Sequence, residues 1–170
     1  MSQAEPLARL QVGVVAERRK AASAWAVYVW RPVAVLPGAP DVAQWTALDG
    51  NAECMNFYVG PADVELHRTD AAGYRDNLST GTPLLWVVLR ATGGEPPYRV
   101  ITVTAAPGEG EAFTESGTDL VDAVPMPEPM RAAIAQFIAQ HYVEHQFIKR
   151  QRDRFDQKTA VRRSPLKDHK

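Results

Sequence analysis

The chain has 170 residues, 45% of them hydrophobic and 23% charged, with a formal net charge of -1 and one cysteine. That supplies apolar material for a single core and is too ordinary a mixture for a disordered or fibrous protein. Lone Cys54 cannot form an internal disulfide and reads as a small core residue of a reducing compartment; no apolar run approaches the roughly 20 residues that cross a bilayer.

Leu10, Val12, Val14 and Ala16 alternate with other residues at the period of a half-buried strand, which predicts a first strand over residues 7–18. Residues 25–36, WAVYVWRPVAVL, are aromatic and β-branched and predict a second strand with apolar residues on both faces. Pro32 has no N–H for a ladder, so it belongs at an edge or a bulge. Residues 53–67 hold two strand-like stretches, MNFYV and VELH, divided by Gly60-Pro61, and are read as two strands in preference to one bent one. Asp70 is placed to cap a short helix carrying Tyr74 and Leu78. Residues 84–92 and 98–105 predict a hairpin, 107–117 a short helix stopped by glycine, and 119–127 an extended lead-in. Pro127 and Pro129 open a last helix, tolerated in its first turn, on which Met130, Ile134, Phe137, Ile138 and His141 share a face.

The expected fold is therefore α+β. An antiparallel sheet of five to six strands, or a small partly open barrel, carries the C-terminal amphipathic helix packed on it. Residues 7–145 are read as one domain and 146–170 as a basic, flexible tail. Up to Glu144 there are 10 Lys/Arg against 17 Asp/Glu, and after it 9 against 3. Such an arm suits an acidic protein surface, an anionic membrane or nucleic acid. Nucleic acid is not the preferred partner, because the tail offers only Phe147 and Phe155 as stacking platforms. The N-terminal segment has no cationic stretch followed by an apolar run, so a cytoplasmic location is expected, without membrane insertion.

Two clusters carry candidate chemistry. His141, Glu144 and His145 have the H-x-x-E-H form of inverted zinc peptidases, but no third ligand is evident, so no metal or cofactor is expected. Glu65, His67, Arg68, Tyr74, Arg75 and Asn77 mix an acid, a base and two guanidinium groups at a strand-to-helix junction, a composition able to hold a phosphate, a carboxylate or a partner. Phe147, Ile148, Lys149 and Arg150 add an apolar pair beside two cations, suited to a protein contact. Phosphate-cradling loops, G-x-S-x-G and C-x-x-C are absent, and no catalytic residue is assigned.

Four stretches, VVAERR at 14–19, VWRPVAVLPGAP at 29–40, VELHR with YRDNL at 64–78, and VPMPEPM with FIKRQR between 124 and 152, resemble a small proteobacterial family. It is catalogued as a domain of unknown function and often named molybdopterin-guanine dinucleotide biosynthesis protein A. Its genes tend to lie in formate dehydrogenase clusters, so the resemblance implies an uncharacterised accessory role in assembling a molybdoenzyme or maturing its molybdenum cofactor, exercised by protein binding. The guanylyltransferases that bear that name open with a glycine-rich nucleotide loop, which this chain does not show. The alternatives are a protein that binds or makes a molybdopterin-guanine dinucleotide or other nucleotide, and a nucleic-acid module acting through the tail.

Overall fold

In the computed structural model, which describes residues 4–25 and 27–142, the alternation in the first segment produces strand β1 (Ala8–Lys20). Val12, Val14 and Ala16 lie on one face of it and enter the core. β2 (Tyr28–Pro37), β3 (Thr46–Gly50) and β4 (Cys54–Leu66) complete an antiparallel sheet in the order β2-β1-β4-β3. A short 3-10 turn, Arg68–Asp70, leads into α1 (Ala71–Ser79).

β5 (Leu84–Ala91), β6 (Tyr98–Thr104) and β7 (Leu120–Pro125) form a second antiparallel sheet in the order β6-β5-β7. α2 (Pro107–Ser116) joins β6 to β7, and α3 (Glu128–His141) follows β7. β4 runs beside β6 and β2 beside β7, so the two sheets face a common interior. One cluster fills it, with Val12, Val14, Val64 and Leu66 from the first sheet, Leu85, Val87 and Leu89 from β5, and Met130, Ile134 and Phe137 from α3. Burying a side chain of this size stabilises by about 1.5–3 kcal/mol, which makes this cluster the main favourable term of the fold.

Two irregularities bend the first sheet. Between β1 and β2, Val15 pairs with Ala34 and Ala16 with Pro32, which leaves Val33 as an extra residue. Between β1 and β4, Val14 pairs with Gly60 and Val15 with Tyr58, which leaves Val59 as another. An extra residue in one strand bends it and increases its twist. Gly60 takes φ 155°, a conformation that side-chain-bearing residues avoid.

Several expectations change. The strands number seven among the described residues and divide into sheets of four and three, with no continuous ladder closing a barrel. MNFYV and the VEL of VELH are one bent strand, because the Gly60-Pro61 break is absorbed by the bulge opposite Val14. The extended lead-in is strand β7, paired with β5 from Leu84↔Pro125 to Leu89↔Leu120. β3 went unread, being short and mostly exposed. Asp70 stands at the α1 N-cap but its side chain makes no capping bond. The last helix sends Met130, Ile134 and Phe137 into the core as expected, with α1 as its neighbour and the Tyr74 and Phe137 rings edge to face at 6.0 Å. Pro32 sits both on an edge strand and beside a bulge.

α2 approaches β5 closely at one point. A Cβ on Gly110 would lie 2.3 Å from Cγ of Trp86, whereas one on Gly108 would meet nothing within 4 Å. Gly110→Ala is therefore expected to lose roughly 1–2 kcal/mol in denaturant unfolding, the overpacking exceeding the gain in helix propensity. Gly108→Ala in the same helix should be neutral or slightly stabilising.

Candidate functional site

The cluster expected around residues 65–77 is divided by the fold. Tyr74 is 1% exposed, and its hydroxyl accepts the His67 N–H at 3.0 Å and donates to the Glu65 carbonyl at 3.4 Å, fastening α1 to the end of β4. Burial pushes the Tyr74 phenol up to about 12. Asn77 is also buried. Its Nδ2 donates to the carbonyls of Leu84 and Ala105 at 2.8 and 3.0 Å, and its Oδ1 accepts the Leu84 N–H at 3.0 Å. The polar atoms of both side chains are thus taken up by the fold.

The other members stay at the surface. Glu65 sits 3.5 Å from the Arg9 Nε, an exposed ion pair that contributes little, and 3.5 Å from the Nε2 of half-buried His67. Arg75 donates to the Tyr142 hydroxyl at 2.9 Å and lies 4.9 Å from that ring's centroid. Arg68 is exposed at the start of the 3-10 turn. Phe147, Ile148, Lys149 and Arg150, like Glu144 and His145, lie outside the described residues. Among the described residues no group of three or more His, Cys, Asp and Glu is placed to hold a metal ion.

A different constellation forms at the end of the first sheet. By cross-strand register Arg18 lies opposite Trp30 on β2, and two residues further along β1 Ala16 lies opposite Phe57 on β4. Directly opposed residues share a face, here the face that also carries Val12 and Val14 into the core. The space between the sheets opens there into a cleft of about 620 Å³, lined by Arg18, Tyr28, Trp30, Trp45 and Phe57, with Gln44 and residues 95–97 at its rim. Trp30 and Trp45 meet edge to face at 5.4 Å, and Phe57 tilts against Trp30 at 5.5 Å. The Arg18 guanidinium lies 4.3 Å from the Tyr28 centroid and 5.0 Å from that of Phe57.

The opposite face of the same strands carries an ionic node. Glu17 accepts from Arg19 Nε at 3.1 Å and Arg31 Nε at 3.3 Å, its side chain 12% exposed. Burial alone would raise its carboxyl, but the bonds from Arg19 and Cys54 and the charges of Arg31 and Arg19 carry it below the usual carboxylate range. Burial, then the bond to Glu17, pushes the Cys54 thiol up, so Cys54 is held as a neutral thiol.

The described surface thus presents an aromatic cleft over one face of β1 and an ion-pair node of one carboxylate and two guanidinium groups over the other. The family comparison matches residues 11–152, most of the chain and all of its strands beyond the first three residues of β1. The chain belongs to the DUF3305 family. That family is described as a protein of unknown function. Comparison with curated proteins and with solved structures gave no match. No described helix is long and apolar enough to cross a membrane.

Sequence reading missed the DUF3305 cleft because its walls come from five separate segments. Its aromatic residues look like core residues one at a time. One signal was present: Arg18 continues the parity of Val12, Val14 and Ala16, which puts a cation on the apolar face of β1.

Tyr74→Phe removes the acceptor for the part-buried His67 N–H and should lower stability by about 1–3 kcal/mol. In the parent protein the Tyr74 phenol titrates near 10.0 when unfolded and about 12 when folded. Its contribution is complete below pH 10 and declines through pH 12, by up to about 1.4 kcal/mol per pH unit. Denaturant titrations across that range should show a shallower alkaline decline in Tyr74→Phe.

Proposed function

We propose that this DUF3305 chain is a non-catalytic accessory protein that binds an acidic, partly apolar surface of a partner polypeptide during molybdoenzyme assembly. The observation that carries the reading is the hairpin tip between β1 and β2, where Trp25, Val27, Tyr28 and Val29 are 97%, 71%, 41% and 54% exposed. Large side chains left in water so close together are characteristic of interaction sites.

The surroundings favour an acidic partner. Arg19, Lys20 and Arg31 flank the apolar row, and all three are exposed, although the first 144 residues are acidic as a whole. Tryptophan and tyrosine anchors ringed by cations combine desolvated contact area with electrostatic steering. The molybdoenzyme context is supported by the resemblance carried in the four sequence blocks. The Arg68 and Arg75 patch and residues 147–150 are secondary candidates for the same interface.

Deleting the gene in its native host should lower formate dehydrogenase activity and bound molybdenum cofactor, and the parent gene should restore both. A Trp25→Ser, Val27→Ser double variant, altered only at exposed positions, should accumulate normally and fail to restore them. Full enzyme activity in the deletion strain would sink the proposal, and full rescue by the double variant would remove the hairpin tip from it.

A further inference from the structure

We infer that the cleft between the two sheets is a binding site for a planar heteroaromatic molecule bearing an anionic group, a role distinct from the partner surface at the hairpin tip, with which it shares only Tyr28. Its volume of about 620 Å³ falls in the range of small-ligand sites, and it has their usual position at the open end of a β architecture. The walls are predominantly π faces and edges. Trp30 and Trp45 meet at 5.4 Å, and Phe57 lies 6.2 Å from Trp45. A flat ring is the shape that such walls cover best.

Arg18 selects the charge. Arg9, Arg19, Arg31 and Arg90 are matched by carboxylates, whereas Arg18, the arginine that lines the cleft, is set among aromatic rings. Among the described residues Arg18 has no such pair and donates no side-chain hydrogen bond; its neighbours are the rings of Tyr28, Phe57 and, at 6.0 Å, Trp30. Stacking on rings satisfies the faces of a guanidinium, while its N–H donors lie in its plane and remain for the oxygens of an anionic group such as a phosphate. The rim supplies the complementary polarity. Glu95 offers an acceptor and Gln44 both donor and acceptor, which suits the N–H edges of a heterocycle.

The backbone of the wall is strained. Trp45 has φ 67°, in the left-handed region that a bulky side chain rarely enters, and its N–H is tied to the Tyr58 carbonyl. A conformation of this kind costs on the order of 1–3 kcal/mol and persists where surrounding contacts impose it. Here it sets the Trp45 indole against Trp30 and closes one side of the cleft.

Calorimetry on the full chain with guanosine 5′-monophosphate, guanosine and benzyltrimethylammonium tests the inference. The nucleotide should bind at least about tenfold more tightly than the nucleoside, about 1.4 kcal/mol, and should quench tryptophan fluorescence. Arg18→Gln should erase that preference without weakening guanosine, while Arg31→Gln, on the opposite face, should preserve it. Thermal unfolding checks that Arg18→Gln is folded; if it is not, the three-compound comparison on the parent protein decides alone. Equal binding of nucleotide and nucleoside, preference for the quaternary ammonium, or no heat from either purine compound at millimolar concentration would overturn the assignment.

Discussion

Both ladders of β1 change register within the same three residues, Val14 to Ala16. The extra residues, Val33 on one side and Val59 on the other, make the sheet turn at that level along its central strand. Below the turn, Leu10 and Val12 pair with Val64 and Ala62 on β4 over the shared core. Above it, the same face carries Arg18, Trp30 and Phe57, and the interior becomes an open cleft. The division of the molecule into a sealed half and an open half coincides with this paired irregularity, since each bulge bends its strand and increases the local twist.

The charged side chains follow the same division. On the outer face of β1, Glu17 binds two guanidinium groups, and burial together with the bond to Glu17 keeps Cys54 protonated. On the inner face Arg18 has rings in place of carboxylates. One residue step along a strand therefore separates an ionic node from a cation presented to a cavity. The alternation of side chains in a pleated strand is sufficient to keep two such environments apart.

Elements governed by local rules were legible in the sequence. Strand β1 showed its period of two, the β5–β6 hairpin its paired apolar runs, and α3 its opening prolines and the spacing of Met130, Ile134 and Phe137. Elements governed by distant pairing were not. Gly60-Pro61 has the composition of a turn, and only the partner strand β1 makes it a bulge in a continuous β4. β7 is a strand because β5 is available beside it. In the candidate patch, Tyr74 and Asn77 looked available because they are polar, and their burial depends on where β4, β5 and β6 begin and end. The cleft was the least legible feature, since no local pattern announces that residues 18, 30, 45 and 57 converge.

The single amide of Asn77 grips the start of β5 at Leu84 and the chain just past β6 at Ala105. These are the two open ends of one hairpin, so the clamp works like a fulcrum set at its base. Sliding either strand by one residue would orphan a buried donor or acceptor. The far end of that lever, residues 95–97, hangs over the cleft. Bonds from Thr92 to the Pro96 and Pro97 carbonyls tie that tip to the end of β5, so the hairpin is anchored at both of its ends.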